Sequence, residues 1–329
     1  MLFFNSLILS TIITATSISW LMMWIGLEIN LLSMMPLMNS KFNNFSNEAM
    51  LKYFISQSLA SMIFLFSIIM FMNLNIPSYF YILILILNSS LLLKMGAAPL
   101  HFWFPQVMEG LNWNMSMLML TWQKIAPFIV ISYNMKMSVF LLFFIISSSI
   151  VGSILGLNQI SLRKILTFSS INHISWMLSS LMNSTYLWMI YFITYSFISL
   201  NIIIMFKKLN IFYLKQLILK LNSNKMIKFF FLSNFFSLGG IPPFLGFLPK
   251  WMTINFLMDK NLWMISIILI FFSLITLFFY TRITLSSILI NYYENLNFQI
   301  PSYTSFLLIF FNFMNLMSLI LVTYMFFPF

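Results

Sequence analysis

Residues 91–106 read LLLKMGAAPLHFWFPQ. Three leucines lead into Lys94, Gly96 and Pro99 then interrupt the helix pattern, and His101 follows. In a lipid-facing helix, backbone groups freed by Gly or Pro are tolerable only where protein or a watery cavity receives them. A lysine at the centre of a membrane helix costs about 2.5–3.5 kcal/mol on the insertion scale unless it turns inward and meets partners. The stretch therefore predicts a broken helix facing the interior of a bundle, with a charge placed at the break.

A second stretch repeats the design. LGGIPPFLGFLPKW (238–251) again combines Gly and Pro breakers with one lysine, Lys250, this time after the break. The wider sequence supplies the frame for both. Of 329 residues, 61% are hydrophobic and only 6% are charged, whereas a soluble domain carries roughly a quarter charged residues. The chain reads as a polytopic membrane protein. At about 20 apolar residues per span, eleven candidate segments emerge, at 2–20, 21–38, 49–73, 78–108, 113–133, 138–157, 163–182, 186–206, 229–258, 262–285 and 303–328. The two interrupted segments lie five spans apart, so they cross in opposite directions. That is the sequence pointer to an inverted repeat with a functional site at the broken helices.

Charge placement fixes the topology. With the N-terminus on the inner side, that side receives Lys41, Lys52, Arg163, Lys164, the six lysines of 207–228 and Arg282, and the opposite side only Lys136 and Lys260. This asymmetry follows the positive-inside rule. The net charge of +11 is thereby assigned to loops, and with no basic stripe interleaved with exposed aromatics it does not point to nucleic acid. The segment 207–228, KKLNIFYLKQLILKLNSNKMIK, predicts an amphipathic helix lying along the membrane interface. The first basic residue is Lys41, so no positively charged leader precedes the opening apolar run, which is expected to stay in the mature chain.

The absence of cysteine excludes disulfides, thiolate metal sites and iron–sulfur ligation in this chain. Two histidines are too few for a bis-histidine cytochrome with two haems, and no glycine-rich nucleotide motif, nucleophile–base set or acidic metal cluster occurs. The excess of Met, 28 residues, and of Phe, 40, fits an AT-rich mitochondrial genome.

Four charges remain inside apolar segments: Glu28 in WIGLEINLLSMM, Lys94, Lys124 in LTWQKIAPF, and Lys250. Unpaired, they would total roughly 10 kcal/mol. Burial disfavours the charged form of an amine, and an amine balanced in that way exchanges protons near neutral pH, the chemistry of a proton relay. Structural alternatives stand beside this reading: Glu28 as an ion-pair partner, and Lys124 and Lys250 as snorkelling residues. His101 and His173, the latter in SSINHISW, either extend a proton path or pack as hydrogen-bonded core residues. Ser56, Gln57 and Ser58, with Asn88, Ser89 and Ser90, either support internal waters or join helices.

The motifs WIGLEINLLSMMP, LLLKMGAAPLHFWFPQVMEGL, LTWQKIAPF, GLNQISLRKILTFSSINHISWM and SLGGIPPFLGFLPKW together resemble the NADH dehydrogenase subunit 2 family, antiporter-like membrane subunits of mitochondrial respiratory complex I, with an insect-like composition. The resemblance runs through most of the chain and is weakest at 207–228 and after residue 285. It implies an all-α membrane fold of eleven helices in a single antiporter-like domain. Two inverted five-helix repeats, about 1–133 and 138–285, precede a C-terminal helix at about 303–328, with breaks near 94–105 and 238–250. It implies that Glu28, Lys94, Lys124 and Lys250 form a proton relay. It further implies that FMN, iron–sulfur clusters and ubiquinone bind other subunits, with no cofactor or metal here. Other membrane-arm subunits, including neighbouring antiporter-like ones, and lipids such as cardiolipin are the implied partners. The location is the mitochondrial inner membrane, N-terminus in the matrix and C-terminus in the intermembrane space. Two rivals are a stand-alone cation/proton antiporter and a structural spacer without its own proton path.

Overall fold

Long apolar runs leave the backbone only itself to hydrogen-bond with, and in such a setting the helix is the solution available to a single segment. The computed structural model describes residues 1–39, 43–73, 77–134, 139–221, 225–242, 244–289 and Phe313. Among these residues the chain is helical, apart from an isolated antiparallel bridge between Ser161 and Tyr213. The expected C-terminal helix at 303–328 lies outside the described residues except for Phe313, as do Lys41 and Lys136 of the charge count.

The chain divides into two compact units, Met1–Ser148 and Ser149–Phe329. The first holds α1 (Leu2–Thr16), α2 (Trp20–Met38), α3 (Asn44–Asn73), α4 (Pro77–Met95), α5 (Trp103–Gly110), α6 (Trp113–Leu120), α7 (Trp122–Tyr133) and the start of α8 (Val139–Ile154). The second holds the end of α8, α9 (Leu162–Leu181), α10 (Thr185–Leu209), α11 (Leu214–Leu221), α12 (Lys225–Gly239), α13 (Phe247–Asp259) and α14 (Trp263–Leu289). Among the described residues, five stretches are long and apolar enough to cross a membrane: Trp20–Met38, Asn44–Asn73, Trp113–Tyr133, Thr185–Leu209 and Trp263–Ser287. Shorter apolar helices cover Leu2–Thr16, Phe80–Met95 and Val139–Ile154.

Many serines and threonines in these helices bond within their own helix. Ser10 donates to Leu7 O (2.7 Å), Ser90 to Leu87 O (2.6 Å) and Ser175 to Asn172 O (2.6 Å). A hydroxyl bonded back to the preceding turn presents little polarity to its neighbours, so polar residues pack in the core without cross-helix partners. Helix α9 carries this furthest, with every residue from Ile165 to Leu181 buried.

Two expectations are narrowed. The segment 207–228 does not form one interfacial helix: α10 runs on to Leu209, a separate short helix spans Leu214–Leu221, and Lys225 already opens α12. Asn210 ends α10 in the left-handed region (φ 48°), which turns the chain before the amphipathic pattern can continue. The segment 113–133 is also not one straight helix. It is interrupted at Thr121 between α6 and α7, and Pro127, which has no N–H to donate to Gln123 O, sits in the early turns of α7.

Candidate functional site

Both glycine–proline stretches break their helices, and they do so by the same local device. Gly96 and Gly240 adopt positive φ, 74° and 79°, which a glycine accepts without a Cβ penalty. At the first break Gly96 N–H donates to Leu93 O (3.1 Å) and Ala97 N–H to Leu92 O (3.0 Å). At the second, Gly240 N–H donates to Ser237 O (3.1 Å) and Ile241 N–H to Phe236 O (3.3 Å). Each pair of bonds is a Schellman C-cap. The next helix begins seven residues after the glycine in both cases, at Trp103 and Phe247, and each carries a proline two residues further, Pro105 and Pro249.

The first break borders a small cavity of about 20 Å³, more than the 10–15 Å³ or so that one water needs. Lys94 and Lys124 both line it, with Asn30, Tyr53, Gln57 and Gln123 as polar neighbours and Trp103, Phe104 and Pro127 among the apolar ones. Lys94 is 7% exposed and Lys124 2%. Four helices, α2, α3, α4 and α7, meet through amides here: Gln123 Nε2 donates to Asn30 Oδ1 (2.9 Å), Tyr53 OH to Gln123 Oε1 (3.4 Å) and Gln57 Nε2 to Lys94 O (3.4 Å). The Lys124 ammonium stands 5.8 Å from the centre of the Phe104 ring, within cation–π range. Neutral donors satisfy the broken helix: Trp103 Nε1 to Leu93 O (3.0 Å) and Ser147 Oγ to Ala98 O (2.7 Å).

Glu28 sits half-buried on α2 within electrostatic reach of Lys94. It does not line the cavity; Leu27, Asn30 and Leu31 of the same helix do. His101 is buried just past the break, where its Nδ1 lies 3.2 Å from Pro99 O, and it too is absent from the cavity wall.

In the second unit Lys250 is buried and reaches back across the break. Its ammonium donates to Gly239 O (2.8 Å) and Leu238 O (3.3 Å), capping the end of α12 itself. A Cβ at Gly240 would meet the Lys250 side chain at 2.8 Å, so the glycine also makes room for the lysine. The ring of the fully buried Trp176 lies 5.8 Å from the same ammonium. His173, on the same helix as Trp176, pairs through Nδ1 with Tyr191 OH at 3.0 Å.

Each membrane lysine thus lies near an irregularity in its helix. The third irregularity, at Thr121 beside Lys124, escaped the sequence reading although Pro127 signalled it. Asn30 and Tyr53 were also missed, being ordinary residues until α2 and α3 bring them to the cavity. Among the described residues no cluster of three or more His, Asp or Glu side chains is placed to hold a metal ion.

Both units thus pair a broken helix with a buried lysine. The family model described as NADH:quinone oxidoreductase/Mrp antiporter, TM, matches residues 17–276. NADH-ubiquinone oxidoreductase chain 2 of Anopheles gambiae is 46% identical over 329 residues, covering 98% of this chain and 96% of the relative. The chain belongs to that family and, within it, to the NADH-ubiquinone oxidoreductase chain 2 proteins. Its fold is shared with a chain of respiratory complex I from Thermus thermophilus with bound aureothin (TM-score 0.84, 22% identity, 94% of this chain and 76% of that one). It is shared also with a chain of the Mrp complex from a Dietzia species (TM-score 0.70, 15% identity, 80% and 56%).

Proposed function

We propose that this chain is a membrane-arm subunit of a proton-translocating NADH:ubiquinone oxidoreductase, and that it moves protons through Glu28, Lys94, Lys124 and Lys250. The observation that carries this reading is the shared cavity: two lysines from separate helices line one water-sized space rimmed by amides and a phenol. Two ammonium groups on so small a cavity repel, so loading one favours release from the other. Glu28, in reach of Lys94 but outside the cavity, biases that exchange. From Lys124 the proton passes onward to Lys250, with His173 and His101 as further stations.

Electron transfer belongs to other subunits, which bind FMN, iron–sulfur clusters and ubiquinone; this chain has no cysteine for a cluster. The eleven spans form two inverted five-helix repeats, about 1–133 and 138–285, followed by the C-terminal helix at 303–328. The matching Schellman breaks support the repeats. The N-terminus faces the matrix and the C-terminus the intermembrane space of the inner mitochondrial membrane, as the lysine asymmetry favours. Neighbouring antiporter-like subunits and anionic lipids such as cardiolipin meet the outer faces.

The test is the proton-to-electron ratio of the assembled complex carrying Lys94→Met. A lowered ratio supports the relay. An unchanged ratio in a complex of normal stability turns the chain into a spacer, and sodium-dependent transport by the isolated chain would make it a stand-alone antiporter.

A further inference from the structure

The hydrogen bonds around the first cavity leave its wall rich in donors. Gln123 Nε2 donates to Asn30 Oδ1, so what the Asn30 amide has left to offer is chiefly its N–H2 group. Gln123 Oε1 is engaged in turn by Tyr53 OH. Gln57 spends one N–H on Lys94 O and keeps the other, together with its oxygen. Lys94 and Lys124 bring ammonium groups, which donate and never accept. Among the described residues no carboxylate lines the space. These donors are built into the interior: Lys94, Lys124, Asn30 and Gln57 are at most 7% exposed.

The charges point the same way. Two ammonium groups on one small cavity repel, and buried charge is tolerated where a counter-charge and hydrogen bonds meet it. Glu28 acts on Lys94 from outside the wall and does not line the cavity. A metal cation entering here would meet two positive groups and no carboxylate. A small anion would meet ammonium and amide N–H groups, and charge-assisted bonds of that kind are the strong ones. The volume of about 20 Å³ admits one particle of about the size of a water, and a chloride ion is only a little larger. Polyatomic organic anions do not fit.

The second break supplies an internal control. The Lys250 ammonium already donates to Gly239 O (2.8 Å) and Leu238 O (3.3 Å), so backbone carbonyls answer its charge. At the first break the carbonyls of Leu93 and Ala98 are taken by the Trp103 indole and the Ser147 hydroxyl, and the lysines face the cavity instead.

We propose that the cavity between α4 and α7 binds one small inorganic anion of chloride size when Lys94 and Lys124 both carry their protons, with the Asn30 and Gln57 amides as further donors. The bound anion offsets the repulsion between the two ammonium groups and so lets both stay loaded together. The site involves the same lysines as the proton-translocating reading but stands on the chemistry of the wall, not on transport.

Crystals of the assembled complex equilibrated in bromide, with gluconate as the control, test this on the unaltered chain. An anomalous bromide peak within hydrogen-bond distance of both lysine ammonium groups is expected, with none beside Lys250. In parallel, the thermal midpoint of the assembled complex is read as chloride replaces gluconate at constant ionic strength. The midpoint should rise with chloride, because a ligand of the folded state stabilises it, and the rise should be smaller in Lys94→Met. A water where the bromide is expected, a peak of equal strength beside Lys250, or an equal rise in Lys94→Met overturns the site. If Lys94→Met does not assemble, the bromide peak alone decides. A peak in wild type together with an unchanged proton-to-electron ratio in Lys94→Met keeps the anion site and removes the relay. A lowered ratio with no peak removes the anion site and leaves the relay standing.

Discussion

The two helix breaks end in the same Schellman turn at the same spacing, yet they employ their lysines differently. At the first, the exposed carbonyls are met by neutral groups, the Trp103 indole, the Gln57 amide and the Ser147 hydroxyl. Lys94 caps no carbonyl among the described residues and lines the cavity with Lys124. At the second, the lysine is the cap, holding Leu238 O and Gly239 O. A lysine relieved of capping can change charge without disturbing its helix. One that caps a helix end is tied to the backbone, because two carbonyls at the end of α12 depend on it for their donor. The difference predicts that charge and backbone are coupled in the second unit and largely uncoupled in the first.

The strongest attempt to break this comparison pairs Lys250→Met with Lys94→Met. Both are expected to lower the proton-to-electron ratio. Only Lys250→Met should also destabilise the complex, by about 3 kcal/mol for the lost charge-assisted bonds, whereas removing the non-capping Lys94 charge should be neutral or slightly stabilising. Equal thermal midpoints for the two variants would sink the distinction. Next in size is Gly240→Ala, which adds about 1–2 kcal/mol of backbone strain and pushes on the Lys250 side chain. Its midpoint and ratio should fall together, while Gly96→Ala, whose new Cβ meets Phe104 rather than a lysine, should show chiefly the strain. Trp103→Phe removes one of the two donors to Leu93 O and should lower the midpoint by the equivalent of about 0.5–1.5 kcal/mol, read by thermal unfolding, with the ratio unchanged. The smallest effect belongs to Ser147→Ala, about 0.5–1 kcal/mol for one neutral bond; a change in pumping there would show that the first break is not relieved of duty after all.

How much of this was legible beforehand depends on the range of the signal. Gly96, Pro99 and Gly240 announced the breaks because their backbone preferences act locally, and Lys94, Lys124 and Lys250 stood out because a charge in an apolar run has no local excuse. The cavity was not legible in the same way, since Asn30 and Tyr53 acquire meaning only when α2 and α3 pack beside α7. Glu28 lies within reach of Lys94, but the helix turns Asn30 rather than Glu28 onto the cavity wall. Capping by Lys250 was hidden because it joins residues eleven and twelve positions apart across a turn. Snorkelling, the plain alternative for that lysine, does not describe a side chain tied to two buried carbonyls.

Helix α9 carries a consequence for how the protein is made. It is 20 residues long but is not among the stretches apolar enough to cross a membrane by themselves, and in the folded unit none of Ile165–Leu181 is exposed. Left alone in a bilayer, its serines, Asn172 and His173 would favour the interface over the interior. Its insertion must therefore be cooperative, accompanied by α10, whose Thr185–Leu209 stretch is apolar enough to lead the way. Substitutions that weaken α10 would then be felt first as a biogenesis defect, before any proton is moved.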